Sequence, residues 1–203
     1  MKTVIVTMPM KKEVYKLKYP VQGNKSIEYD GGLQFPVNGV LARTLKPGEK
    51  VKLIFIVTRG NQDHGFENVE LFKTEFSELN KDIRTEFVDE IIELPFDPSK
   101  EVFNKLITEL ITKIGQDSEI IADFTFGGKP FPFVLLCALN FAESFHNASI
   151  LYLIYGKVEF KPEPSDPMLY DVTSLYYLQK LIGAMQDRSK DTASKMLADF
   201  FAL

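Results

Sequence analysis

Apolar residues recur along this chain in two rhythms that alternate from end to end. "KTVIVTM", residues 2–8, is a β-branched run of strand length, closed by Pro9. "VKLIFIVT", residues 51–58, is apolar on both faces, which suits a parallel strand covered by helices. "TEFVDEIIELP", "SEIIADF" and "SILYLIY" predict a third, fourth and fifth strand. "GKVEFKPE" predicts a sixth, turning back through Gly156. Between them lie helical periods. "FPVNGVLARTL" reads as a short helix entered through Pro36, and "KPGEK" after it as a turn. "FENVELFKTEFSELNKD" places Val69, Phe72, Phe76 and Leu79 on one face. "DPSKEVFNKLITELITKIG" carries the stripe Val102, Phe103, Leu106, Leu110 and Ile114. Asp97 or Ser99 can cap it, Pro98 suits its start, and Gly115 ends it.

"PFPFVLLCALNFAESF" is a helix apolar almost all round, so it should be buried on most sides, in part against a second subunit. "SLYYLQKLIGAMQ" and "TASKMLADFFAL" predict two final helices. Met10 to Gln34 has no helical period and reads as a long loop or hairpin. Loops of that length in compact domains are functional or disordered.

This alternation predicts an α/β fold. It is Rossmann-like, with a mostly parallel sheet of about six strands, helices on both faces, and extra C-terminal helices. The expected division is a nucleotide-binding unit over 1–165 and a helical linker over 166–203. The last residues, "MLADFFAL", stop on apolar side chains, as a chain cut before a further domain would.

The chain has 203 residues and 45% hydrophobic content, which suits one soluble domain. No run is long enough to cross a bilayer. A single cysteine, Cys137, excludes an intramolecular disulfide and fits a reducing cytoplasm; its apolar setting predicts a buried structural thiol. The net charge of −4 argues against duplex nucleic acid as a partner. Residues 1–60 nevertheless hold 11 Lys and Arg against 4 Asp and Glu. A positive lobe on an acidic chain suits an anionic ligand held in one place, or is a set of solvated lysines.

Ligands of open α/β sheets bind at the carboxyl ends of strands. Three such ends bear suitable residues: Thr7, Met8, Pro9 and Met10; Thr58, Arg59 and Gly60; and "DFTFGGK", Asp123 to Lys129. In the last, Gly127 and Gly128 allow positive φ and close approach of backbone N–H groups to a phosphate. Lys129 adds a full charge, and the helix after Pro130 directs its N-terminus to the same place. Thr125 offers a hydroxyl, while Asp123 can orient the loop or hold a ribose hydroxyl. A tight packing turn remains the alternative reading. The spacing matches neither a Walker A loop nor GxGxxG. His64 reads as a loop residue or a general base, His146 as a helix cap, and no metal-ligand spacing is visible.

The Asp123-Phe124-Thr125-Phe126-Gly127-Gly128-Lys129 loop, in this α/β order, resembles the CARF domains, the CRISPR-associated Rossmann-fold sensors of type III immunity. "FPVNGVLARTL", with Asn38 and Gly39, resembles the first helix of the branch whose fourth strand ends in D-x-T-x-G. The segment from Tyr170 resembles its sensor-to-effector link. One departure is Phe126, where many members carry histidine; it could stack on adenine or fill an apolar gap. The resemblance implies a homodimer that binds a cyclic oligoadenylate, tetra- or hexa-adenylate, across its two-fold axis. Phosphates would meet Gly127, Gly128 and Lys129. No cofactor is implied, and effector catalysis would lie in another domain. Some members slowly cleave the ring, which is the alternative implied activity.

Overall fold

The computed structural model describes residues 1–60, 63–160 and 162–202. Asn61 and Gln62 in the loop after the second predicted strand, Lys161 in the sixth, and Leu203 in the last helix lie outside them. Among the described residues, seven strands and six α-helices follow in the order β1 (Lys2–Thr7), β2 (Val21–Gln22), α1 (Pro36–Thr44), β3 (Lys50–Arg59), α2 (Gly65–Ile83), β4 (Glu86–Pro95), α3 (Lys100–Lys113), β5 (Glu119–Asp123), α4 (Phe131–Phe145), β6 (Ser149–Phe160), β7 (Pro164–Asp171), α5 (Thr173–Ala184) and α6 (Lys190–Phe201). They form one sheet, ordered β2-β7-β6-β5-β1-β3-β4. All neighbours are parallel except β6 and β7.

Period-2 side-chain alternation sorts the core into two layers. Val4 and Val6 of β1, Leu53, Phe55 and Val57 of β3, and Ile121 of β5 pack with α1 and α2. Ile5, Ile54, Ile56, Ile120 and Ala122 point the other way, onto α3 and α4. Each fully buried aliphatic or aromatic side chain is worth about 1.5–3 kcal/mol of transfer free energy. The result is a Rossmann-like α/β fold with helices on both faces, as the alternation predicts. β1 is flanked by β3, which follows it, and by β5, which comes much later. The strand order therefore reverses beside β1, and a crevice opens there beyond the ends of β1 and β5.

Four expectations are corrected. The predicted sixth strand is the second half of β6, which runs straight through Gly156. The strand that turns back is β7, whose Pro164 and Pro167 hide its pattern; antiparallel pairing over a largely uncovered edge tolerates them. β7 extends to Asp171, so the division at 165 cuts a sheet strand and the helical segment starts at Thr173. α4 buries only one stripe, Phe131, Leu135, Ala138, Leu139 and Ala142, and leaves Phe133 74% exposed. Cys137 lies on that open side and is exposed. The long loop, by contrast, is docked: Leu17 bridges Leu33, and Tyr19, Val21 and Ile27 are buried.

Candidate functional site

β5 ends at Asp123, whose carboxylate Oδ1 accepts the backbone N–H of Thr125 at 2.7 Å and bends the chain out of the sheet. Thr7, at the end of β1, closes the loop from below. Its Oγ1 lies 2.5 Å from the Phe126 carbonyl and 3.2 Å from that of Asp123. Thr125 Oγ1 accepts the N–H of Gly156 at 2.8 Å and ties the loop to β6. Gly127 sits at φ 93°, and a Cβ there would lie 3.0 Å from Thr7 Cβ and 3.2 Å from Phe131. Only glycine fits that position.

The consequence is a backbone with donors to spare. Among the described residues, the N–H groups of Phe126, Gly127, Gly128 and Lys129 make no hydrogen bond. These four residues are half-buried or exposed and line a cleft. Consecutive N–H groups in such a turn form a concavity suited to an anion. The helix terminus adds less than the sequence suggested. Pro130 and Pro132 have no N–H, and Phe131 donates to the Gly128 carbonyl at 2.9 Å. The loop itself and the exposed Lys129 ammonium supply the positive charge.

The loop forms one wall of a cleft of about 520 Å³. Much of the rest is lined by Pro9 and Met10, by part of the long loop between Lys11 and Tyr19, and by residues of the second half of β6. Its surface is largely apolar, and a third of its lining residues are aromatic: Tyr15, Tyr19, Phe96, Phe126, Tyr155 and Phe160. Tyr15 and Phe160 stand 6.0 Å apart between ring centres, with the Lys11 ammonium 5.8 Å from the Phe160 ring. Phe126 meets Phe35 edge-on at 6.1 Å, so it fills an apolar gap as well as lining the cleft.

Of the residues named from sequence, Pro9, Met10, Thr125, Phe126, Gly127, Gly128 and Lys129 meet in this cleft. Thr7, Met8 and Asp123 are buried beneath it and shape it from below. Burial pushes the Asp123 carboxyl up to about 6, against the pull of its hydrogen bonds with Thr125. Tyr19 is pushed up to about 12, by burial first and then by the charges of Asp123 and Glu75.

Five named residues stand elsewhere. Asn38 is buried, giving its amide to Glu75 at 3.0 Å, and Gly39 makes room for Tyr29 and Leu33. Both serve the packing of α1. Thr58 is buried. Arg59 is taken by Glu93 at 2.7 Å and lies 5.1 Å from the Phe66 ring. Gly60 donates its N–H to Asp63. His64 begins α2, beside a second cavity lined by Lys11, Lys12, Glu13 and Asp63, and its Nδ1 lies 2.5 Å from Glu67. His146 caps the end of α4 and meets the Ile114 carbonyl at 2.9 Å. The aromatic walls were not read from sequence. Tyr155 and Phe160 were hidden by the misplaced turn at Gly156, and Phe96 enters through its N–H bond to the Arg59 carbonyl.

No family model matches this chain, and no curated protein matches it.

Proposed function

We propose that this chain is a sensor domain that binds a cyclic oligoadenylate, of four or six adenylates, and passes the signal to an effector in type III CRISPR defence. The carrying observation is the run of four unbonded N–H groups, Phe126 to Lys129, at the point where the strand order reverses. An anion suits those donors, and flat apolar rings suit the aromatic walls that face them. A nucleotide phosphate with its base has both parts. The resemblance of the Asp123–Lys129 loop to CARF domains supplies the cyclic adenylate.

The same reading sets two copies of the chain about a two-fold axis, so that a symmetric ring meets the same loop twice. α5 and α6 would be the transmitters. α6 has no buried residue, and α5 exposes Leu175, Tyr177 and Ile182.

Isothermal titration of the protein with synthetic rings of four and six adenylates tests the proposal. One ring should bind at micromolar protein or below, and Lys129→Ala should weaken it by about 1.5–3 kcal/mol, roughly 10- to 150-fold. No heat with either ring rejects the proposal. Chromatography of ring incubated with excess protein separates binding from cleavage. Linear product would move the assignment to a ring nuclease.

A further inference from the structure

Asp123 is 1% exposed, and its two carboxylate oxygens are unlike. Oδ1 holds the Thr125 N–H, whereas Oδ2 meets no donor among the described residues. The groups around it come from three elements: Thr7 of β1, Thr125 of its own loop, and Tyr19, which feels the charges of both Asp123 and Glu75 of α2. Among the described residues no cation acts on Asp123, and Glu75 acts with it on Tyr19 in the same sense. A carboxylate with one bare oxygen and no counter-ion is costly to keep ionised. It also stands at the start of the loop that carries the N–H groups of Phe126 to Lys129, and it fixes that loop's first turn through Thr125.

We propose that Asp123 is a proton-linked positioning residue: its protonation sets the geometry of the Thr125–Lys129 loop, and an anion seated on that loop draws a proton onto it. The ionised carboxylate grips the Thr125 N–H more strongly than the neutral acid does. The Thr125 hydroxyl passes any shift to Gly156 of β6. An anion at the loop places a like charge near Asp123 in a poorly solvated setting, which favours the protonated form. Binding therefore takes up protons, and affinity falls as pH rises through the titration of Asp123. Burial already brings that titration to about 6, close to neutral pH.

The ligand half of this inference rests on the anion-binding reading of the loop; the proton half does not. In the free protein, carboxyl and amide nuclear magnetic resonance between about pH 4.5 and 8 should show the N–H signals of Thr125 and Gly156 moving with the Asp123 carboxyl. In Asp123→Asn, which keeps an oxygen for Thr125, that movement should vanish. A Thr125 signal that ignores the Asp123 titration overturns the proposal, and this needs no variant. Calorimetry with cyclic tetra- and hexa-adenylate, using whichever binds, in buffers of different ionisation enthalpy then counts protons. Uptake of roughly half a proton per site near pH 6.5 is expected for a one-unit rise, and none in Asp123→Asn. Binding without uptake also overturns it. If neither ring binds, the sensor reading falls and the amide titration alone decides the role of Asp123.

Discussion

The N–H of Gly156 donates to Oγ1 of Thr125 at 2.8 Å, so the middle of β6 is stitched to the loop that leaves β5. The contact needs a strand residue without a side chain. A Cβ at Gly156 would lie 2.9 Å from Thr125 Cγ2 and 3.1 Å from Cγ of Pro36, the first residue of α1. Gly156→Ala should therefore push the loop off the strand and destabilise the fold by about 1–3 kcal/mol. Thr125→Ser in that background removes the methyl group, keeps the acceptor, and should recover part of the loss. Urea denaturation of the single and double variants measures both effects. Equal stability of Gly156→Ala and wild type would show that the loop moves freely there.

Glu75 is the missing cap of α1. Phe35 at the helix start has no side chain to offer, and the carboxylate of Glu75 takes its place from α2. It accepts the N–H groups of Gln34 at 2.7 Å and Phe35 at 3.1 Å, and the Asn38 amide at 3.0 Å. Three donors at a helix N-terminus suit a negative charge. Glu75→Ala leaves the Gln34 and Phe35 N–H groups without an acceptor, while the Asn38 amide keeps the Phe72 carbonyl at 3.5 Å, and should cost about 3 kcal/mol. Glu75→Gln keeps one oxygen and should cost less. Melting temperatures of the two variants order the effects; Glu75→Gln as stable as wild type would mean that the charge plays no part, and Glu75→Ala above Glu75→Gln would rule out the cap.

Strand and helix order was legible because period-2 and period-3.6 patterns are local. Val4, Val6 and Ile5 announce a two-faced strand within five residues. The bend at Asp123 to Gly127 was legible for the same reason, since Asp123 and Thr125 act on one another across a few bonds. Glu75 capping α1 was not, because its partners lie about 40 residues away in sequence. Asn38 looked like a site residue and is a packing residue for that reason. β7 was hidden by its prolines, and with it went the true course of β6 and the aromatic wall at Tyr155 and Phe160.

The buried carboxyl of Asp123 predicts a stability profile with a definite sign. Its folded value, about 6, is above the ordinary 3.8. The folded state thus binds the proton more tightly than the unfolded chain. The stabilisation is complete below about pH 4 and is lost as pH rises through about 6, amounting to about 3 kcal/mol. Asp123→Asn carries no charge at any pH and lacks this loss. Its stability relative to wild type should rise by up to that amount between about pH 4 and 7. Urea unfolding of both proteins across that range reads the difference directly; parallel profiles would place the Asp123 titration outside the window.

Phe133 is 74% exposed on the side of α4 that this chain leaves uncovered, and Phe145, the last residue of the helix, is 68% exposed. Phe133 also stands four residues after Lys129, so a second copy laid over this face would bring two Asp123–Lys129 loops near one axis. An exposed side chain contributes little to the fold of a single chain, and Phe133→Asp should change the stability of an isolated subunit by no more than about 0.5 kcal/mol. In a dimer the same change buries a charge at an apolar contact and removes aromatic area, which is the behaviour of an interface anchor. Sedimentation equilibrium at micromolar concentration should give twice the 23.1 kDa chain mass for wild type and the single-chain mass for Phe133→Asp. Thermal unfolding extrapolated to low concentration should match for the two. A wild-type protein that sediments as one chain, or a variant that stays dimeric, would take α4 out of the interface.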